Sequence, residues 1–211
     1  MKATYGESAN LNSHIMKNSE WGATVYLAHS KYGINKKKVE QNTNSSYYTG
    51  GTNTVEEIYT TNKTQSTTHN ATGVYDLNGG ACERTAAYVN NENEYLGSYG
   101  GKIAGDIYGA TEKEQSTSTK YKTVYSSENN QLKDYETAGK KNKGDAVYET
   151  SVSHSNGMRA WFDVYAYFPS ELGPFFDKGG ICDSTGVSTF SFTSNVGSVH
   201  GSYSFRTILT P

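Results

Sequence analysis

Gly79-Gly80-Ala81-Cys82-Glu83-Arg84-Thr85-Ala86-Ala87-Tyr88-Val89-Asn90-Asn91 is the stretch on which the fold turns. Paired glycines end a turn-rich approach, Gly73 to Gly80, and nine residues follow, Ala81 to Val89, that read as a strand. Upstream, Asn12 to His29 carries Ile15, Met16, Ser19, Ala23, Tyr26 and Leu27 at helical spacing. This predicts a helix over residues 13–30, with Asn12 or Ser13 as cap and Gly33 as the stop. Downstream, Phe175-Phe176, Phe190-Ser191-Phe192 and Tyr203 to Leu209 read as strands, with Phe190 and Phe192 on one strand face. A helix first and short strands late, with much irregular chain between them, is the order of an α+β fold with small antiparallel sheets, not of a βαβ alternation.

The intervening chain is polar. Residues 36–72 are expected to wrap the surface, with Lys36-Lys37-Lys38 as a solvated face and Tyr47 to Gly51 as a short strand or turn. Asn44, Asn62 and Asn70 each open an N-x-Ser/Thr sequon. Residues 90–110, including Gly97-Ser98-Tyr99-Gly100-Gly101, read as loop. Lys120 to Ala138 suits one or two short helices, and Asp145 to Thr150 another helical turn capped by Asp145.

The chain has 211 residues, 34% hydrophobic and 19% charged, with 22 Gly and 18 Tyr, and a length that favours a single domain, 1–211. A formal net charge of -2 offers no field for nucleic acid. No apolar run reaches the ~20 residues of a spanning helix, so direct membrane insertion is not expected. The aromatic share, 13%, argues for a packed core. The histidines are scattered and the two cysteines, Cys82 and Cys182, form no CxxC, so neither a zinc site nor any other metal or cofactor is expected. No EF-hand spacing points to calcium. Each cysteine reads as a small buried hydrophobe or, in an exported protein, as half of a disulfide. No G-x-S-x-G or phosphate loop is present, and no catalysis is expected.

Three short motifs occur in order. Asp76-Leu77-Asn78-Gly79-Gly80-Ala81-Cys82-Glu83 resembles the D-L/M-x-G-N-V-W-E motif of the formylglycine-generating-enzyme (sulfatase-modifying factor) superfamily. Lys178-Gly179-Gly180-Ile181-Cys182 resembles its R-G-G-S-W, and Ser204-Phe205-Arg206 its terminal G-F-R. Gly79 to Asn91 and Gly144 to Ser151 are also similar to surface and phage proteins of gut bacteria, among them the variable proteins of diversity-generating retroelements. The resemblance implies a C-type-lectin-like fold with a ligand-facing, variable segment at about 157–206. It also implies display on a bacterial cell surface or phage virion, and a protein or glycan receptor as partner.

Both motif tryptophans are cysteine here. If the motif strands are neighbours, as the resemblance implies, a Cys82–Cys182 bridge would close a loop of about 100 residues, worth ~4–5 kcal/mol in the chain-entropy model. The rival reading makes Cys182 one outcome of a diversified position. The superfamily's oxidases hold copper with a closely spaced cysteine pair, which this chain lacks.

Tyr beside Ser, Gly and Asn is paratope-like chemistry. The exposed ligand-binding set expected from the C-terminal segment is Asp183, Thr185, Val187, Asn195, Val196, Val199, His200 and Tyr203. Arg159 and Trp161 form a second candidate patch, of the residue types that anchor interfaces. Trp161, Phe168, Phe175 and Phe176 read more readily as core than as platform, and Phe190, Phe192 and Phe205 are assigned to core. The functional expectation is a non-catalytic receptor-binding protein for attachment or host recognition. The alternatives are a structural pilus or phage decoration subunit and a degenerate oxidase of the same superfamily.

Overall fold

A computed structural model of the chain describes residues 12–40, 63–104, 119–126, 144–153, 159–180 and 186–210. Within them the protein is α+β, built on small, mostly antiparallel sheets. The expectations for Asn44, Asn62, Tyr47 to Gly51, Cys182, Asp183 and Thr185 lie outside the described residues, as does all of 127–143.

The chain begins differently from the expected long helix. Asn12–Ile15 is a strand, β1, paired antiparallel with the last strand, β10 (Thr207–Thr210), in the register His14↔Ile208. Helix α1 follows at Asn18–His29, with Lys17 as its N-cap and Ser30 as its C-cap. Neither Asn12 nor Ser13 caps it, and Gly33 lies beyond its end. The start is fixed by Glu20, whose carboxylate reaches back to the Lys17 amide (3.0 Å) and to His14 Nε2 (2.8 Å). The buried face is also rotated from the expected one: Asn18, Trp21, Gly22, Val25, Ala28 and His29 face inward, while Ala23 and Leu27 are exposed. Trp21 sets this phase. It is fully buried, and its indole Nε1 donates to the Thr189 carbonyl at 2.9 Å. The next residue, Gly22, lets the helix touch another backbone: a Cβ there would sit 1.7 Å from the Gly144 carbonyl oxygen.

The expected strand forms as β2, Cys82–Asn90. It is the hub of the largest sheet. β7 (Phe175–Lys178) runs antiparallel along one part of it, and β8 (Phe192–Asn195) pairs with β7. β9 (Tyr203–Phe205) and β3 (Thr123–Ser126) pair with β2 in parallel, at Cys82↔Tyr203 and Tyr88↔Val124. Residues 123–126 are therefore strand, not helix, because β2 offers them a ladder.

Residues 90–110 carry two short helices rather than loop alone, α2 at Glu94–Tyr99 and α3 at Gly101–Ala104. The Asn93 side chain caps α2 by accepting from the Tyr95 amide at 2.8 Å. A third sheet holds β4 (Ser151–Ser153), β5 (Arg159–Ala160) and β6 (Val164–Tyr165), with a 3₁₀ turn at Trp161–Asp163 between the last two.

The core joins α1 to the strands through Trp21, Val25, Val89, Tyr125, Phe168, Phe176, Phe190 and Phe192. Phe190 precedes β8 rather than sharing it with Phe192, though both are buried. Two expected core residues are outside: Phe205 is 61% exposed and Trp161 43%. Phe205 lies on β9, whose short pairing with β2 leaves that ring uncovered.

A chain of buried polar groups runs through this core. Thr85 Oγ1 donates to Asn18 Oδ1 (2.6 Å), Asn18 Nδ2 to the Tyr125 hydroxyl (2.9 Å), and that hydroxyl to Asp145 Oδ2 (2.7 Å). Asp145 therefore holds Tyr125 rather than capping a helix, and residues 144–150 are turns. Glu149 gathers those turns, accepting from the Gly144 and Ala146 amides and from the Tyr26 hydroxyl. Lys178 is fully buried, and its Nζ donates to the Asp145 and Ala146 carbonyls. Burial pulls this ammonium down to about 7, against the upward pull of Asp145 and Glu149.

Candidate functional site

The described residues of the three motifs, Asp76 to Glu83, Lys178 to Gly180 and Ser204 to Arg206, converge on β2. The Gly79 amide donates to the Gly179 carbonyl at 3.3 Å. Both glycines have positive φ, 79° and 78°, and a Cβ on Gly179 would meet the Leu77 carbonyl oxygen at 2.7 Å, so both positions need glycine. Glu83 pairs with Lys178 on one side and Ser204 on the other. Its carboxylate takes two contacts from Arg206, Nε at 2.6 Å and Nη2 at 2.5 Å. Arg206 also donates to the Tyr75 carbonyl. Burial pushes the Glu83 carboxyl up to about 7, and Arg206 opposes that shift.

One strand residue further on, Arg84 reaches the opposite way and organises the C-terminal loop. Its guanidinium donates to the Gly197 and Ser198 carbonyls and to Asn195 Oδ1 (3.0 Å), and it lies 4.5 Å from the centre of the Tyr203 ring. Its Nε is 3.5 Å from Asp177 Oδ1. Asn195 Nδ2 donates to the other Asp177 oxygen at 2.7 Å. Burial pushes the Asp177 carboxyl up to about 6, opposed by Arg84 and Asn195.

Of these groups, Asp177 and Tyr203 line a cleft of about 230 Å³. Val187 and Phe192 form part of its apolar wall, Cys82 adds a buried sulfur, and His200 and Tyr203 stand at the mouth with rings 5.1 Å apart. Three of the residues expected to bind ligand, Val187, His200 and Tyr203, therefore line one cleft. Val187 does so from inside: it is buried, not exposed, because it packs on Gly180, where a Cβ would come within 2.6 Å of it. Asn195 is half-buried and spends its side chain on Asp177, Arg84 and the Gly197 amide. Val196 is half-buried, and Val199 is 96% exposed at the tip of the loop.

Arg159 and Trp161 line no part of this cleft. Trp161 belongs to a second hollow, between α1 and the 3₁₀ turn, and Arg159 is exposed beside Asp163 (Nε to Oδ1, 3.7 Å). Arg84 and Asp177 were not picked out in the sequence. The signal for Arg84 was its place in the quoted Glu83-Arg84-Thr85 run, but only the strand register shows that it faces the loop.

Among the described residues no three His, Cys, Asp or Glu side chains gather as a metal site would require, and no helix is long and apolar enough to cross a membrane. Comparison of the chain with protein-family models, with curated proteins and with solved structures finds no match.

Proposed function

We propose that the protein is a non-catalytic binding domain of C-type-lectin-like fold, which engages a protein or glycan receptor through the loop of residues 186–203 and the cleft beside it. The observation that carries this reading is the division of labour at Arg84. Backbone carbonyls of Gly197 and Ser198 are held by a half-buried guanidinium, while the side chain between that anchor and His200, Val199, contacts almost nothing. A loop fixed by its backbone and free in its side chain can change residue with effects within about 0.5 kcal/mol on stability. Convergence of the three motifs on β2 supports the superfamily resemblance, and with it the fold. On this reading the protein is displayed on a bacterial surface or a phage particle.

The test is a glycan array and a cell-binding assay with the native chain, Val199→Asp and His200→Ala. Loss of binding in both variants, with unchanged thermal melts, is the expected result. Unchanged binding in both would remove the C-terminal loop as the contact surface. A template repeat and a reverse transcriptase at the locus are the expected genetic companions of a diversified loop.

A further inference from the structure

The hollow beside Trp161 is larger than the cleft, about 600 Å³, and shares no lining residue with it. Its walls are rings. Trp161 meets Tyr26 edge-on at 6.0 Å, and Phe162 stacks on Phe190 at 5.8 Å and lies tilted against His29 at 4.9 Å. The Tyr26 hydroxyl and His29 Nε2 are engaged by neighbours, Glu149 and Thr189. The Tyr26 hydroxyl donates to Glu149, and burial holds His29 down to about 4, so it is neutral at pH 7. Trp161 and Phe162 nevertheless remain 43% and 40% exposed. Phe162 and Asp163 hold them there with consecutive positive φ, 67° and 55°, a conformation unfavourable for residues with a Cβ.

The lining carries one base, Lys36, and one acid, Asp163. Lys36 lines the hollow and continues into Lys37 and Lys38, all exposed. The acid of the lining, Asp163, faces Arg159 at 3.7 Å. A rigid apolar body fits the rings, and an anionic head fits the lysines.

We infer that this hollow is a separate small-molecule site for an amphipathic organic anion, one with a flat aromatic or alicyclic body and a carboxylate or sulfonate head. It is independent of the receptor-binding reading, because the two cavities have no residue in common.

The probe is 1-anilinonaphthalene-8-sulfonate, titrated into the full chain at pH 7, with its uncharged relative N-phenyl-1-naphthylamine alongside. Expected are one saturable site per chain, energy transfer from Trp161, and about tenfold weaker binding in Trp161→Ala. Trp161→Phe keeps an apolar ring for folding and is expected to lose the Trp161 share of the energy transfer, Trp21 keeping the rest, while still binding. Lys36→Glu weakens the sulfonate several-fold and leaves the neutral probe unchanged. Phe205→Ser, which removes an exposed ring elsewhere, changes nothing. Near-UV circular dichroism of each variant confirms native packing. Equal loss in Phe205→Ser, equal binding of the two probes, or no saturable site would each overturn the inference.

Discussion

At the motif junction a buried carboxylate meets its arginine and glycines make the tight turns; beside Trp161 large rings face water and two successive residues sit in a costly conformation. Glu83 and Arg206 meet in two contacts, and Gly79, Gly179 and Gly180 take positive φ, with Asp76 (61°) the one described motif residue with a Cβ that does so. At Phe162 and Asp163 positive φ is borne by residues that have a Cβ. The first region has the economy of a scaffold, where each local choice agrees with the fold. The second departs from that agreement, which is where sites are expected. Changes at the junction should therefore reduce stability strongly, and changes at the groove should affect binding with little loss of stability.

The largest effect is expected at Arg206. Arg206→Ala leaves the Glu83 carboxylate buried with no cation, a loss of ~3–5 kcal/mol for a broken buried pair. Urea unfolding at pH 7 measures it. Replacing both residues with apolar ones of similar volume should recover much of the loss, since the pair itself offsets a large desolvation cost. A loss under about 1 kcal/mol in the single variant would remove the contrast, because surface pairs reach that value.

The junction was also the most legible part of the sequence. Gly79, Gly80, Gly179 and Gly180 announce turns through their own backbone freedom, and the strand at Ala81 to Val89 reads from composition. What could not be read depended on partners far along the chain. The phase of α1 is set by Trp21 bonding to Thr189, 168 residues away. β3 exists because β2 receives it in parallel, and β1 because β10 closes on it. The cleft was half legible. His200 and Tyr203 were found from their paratope-like surroundings, but Val187 was taken for surface because nothing local shows that Gly180 draws it inward. Arg84 and Asp177 escaped because their importance lies in register and burial rather than residue type.

His29 links the groove to pH. Its folded-state value is lowered to about 4, burial being the cause, from an unfolded value of 6.5. The folded protein thus binds fewer protons than the unfolded chain across that window. The stability this group contributes is complete above pH 6.5 and is lost as pH falls through 4, by about 3 kcal/mol at the limit. Asp177 and Glu83 act in the opposite direction, since burial raises both, so the wild-type profile alone is a blend. His29→Phe keeps a ring against Phe162 and Phe190 and removes the titration. The difference between wild type and His29→Phe, from urea melts at pH 7, 5 and 4, should widen in favour of the variant as pH falls. A difference constant with pH would mean that His29 is not held neutral by the groove.

The smallest effect separates the two regions most sharply. Phe162→Gly removes a ring that packs on His29 and Phe190, but it also relieves a φ of 67°. Left-handed backbone costs roughly 1–2 kcal/mol for a residue with a Cβ and almost nothing for glycine. The ring is 40% exposed, so the lost burial is of similar size and the two terms nearly cancel. The thermal midpoint should therefore stay within a few degrees of wild type, while affinity for the anionic probe falls. A glycine placed at Phe176, fully buried in β7, has no strain to relieve and should destabilise by several kcal/mol. If Phe162→Gly unfolds the protein as Phe176→Gly does, the ring is core and the groove is not a site. If it melts like wild type and no longer binds, the strained turn serves the ligand rather than the fold.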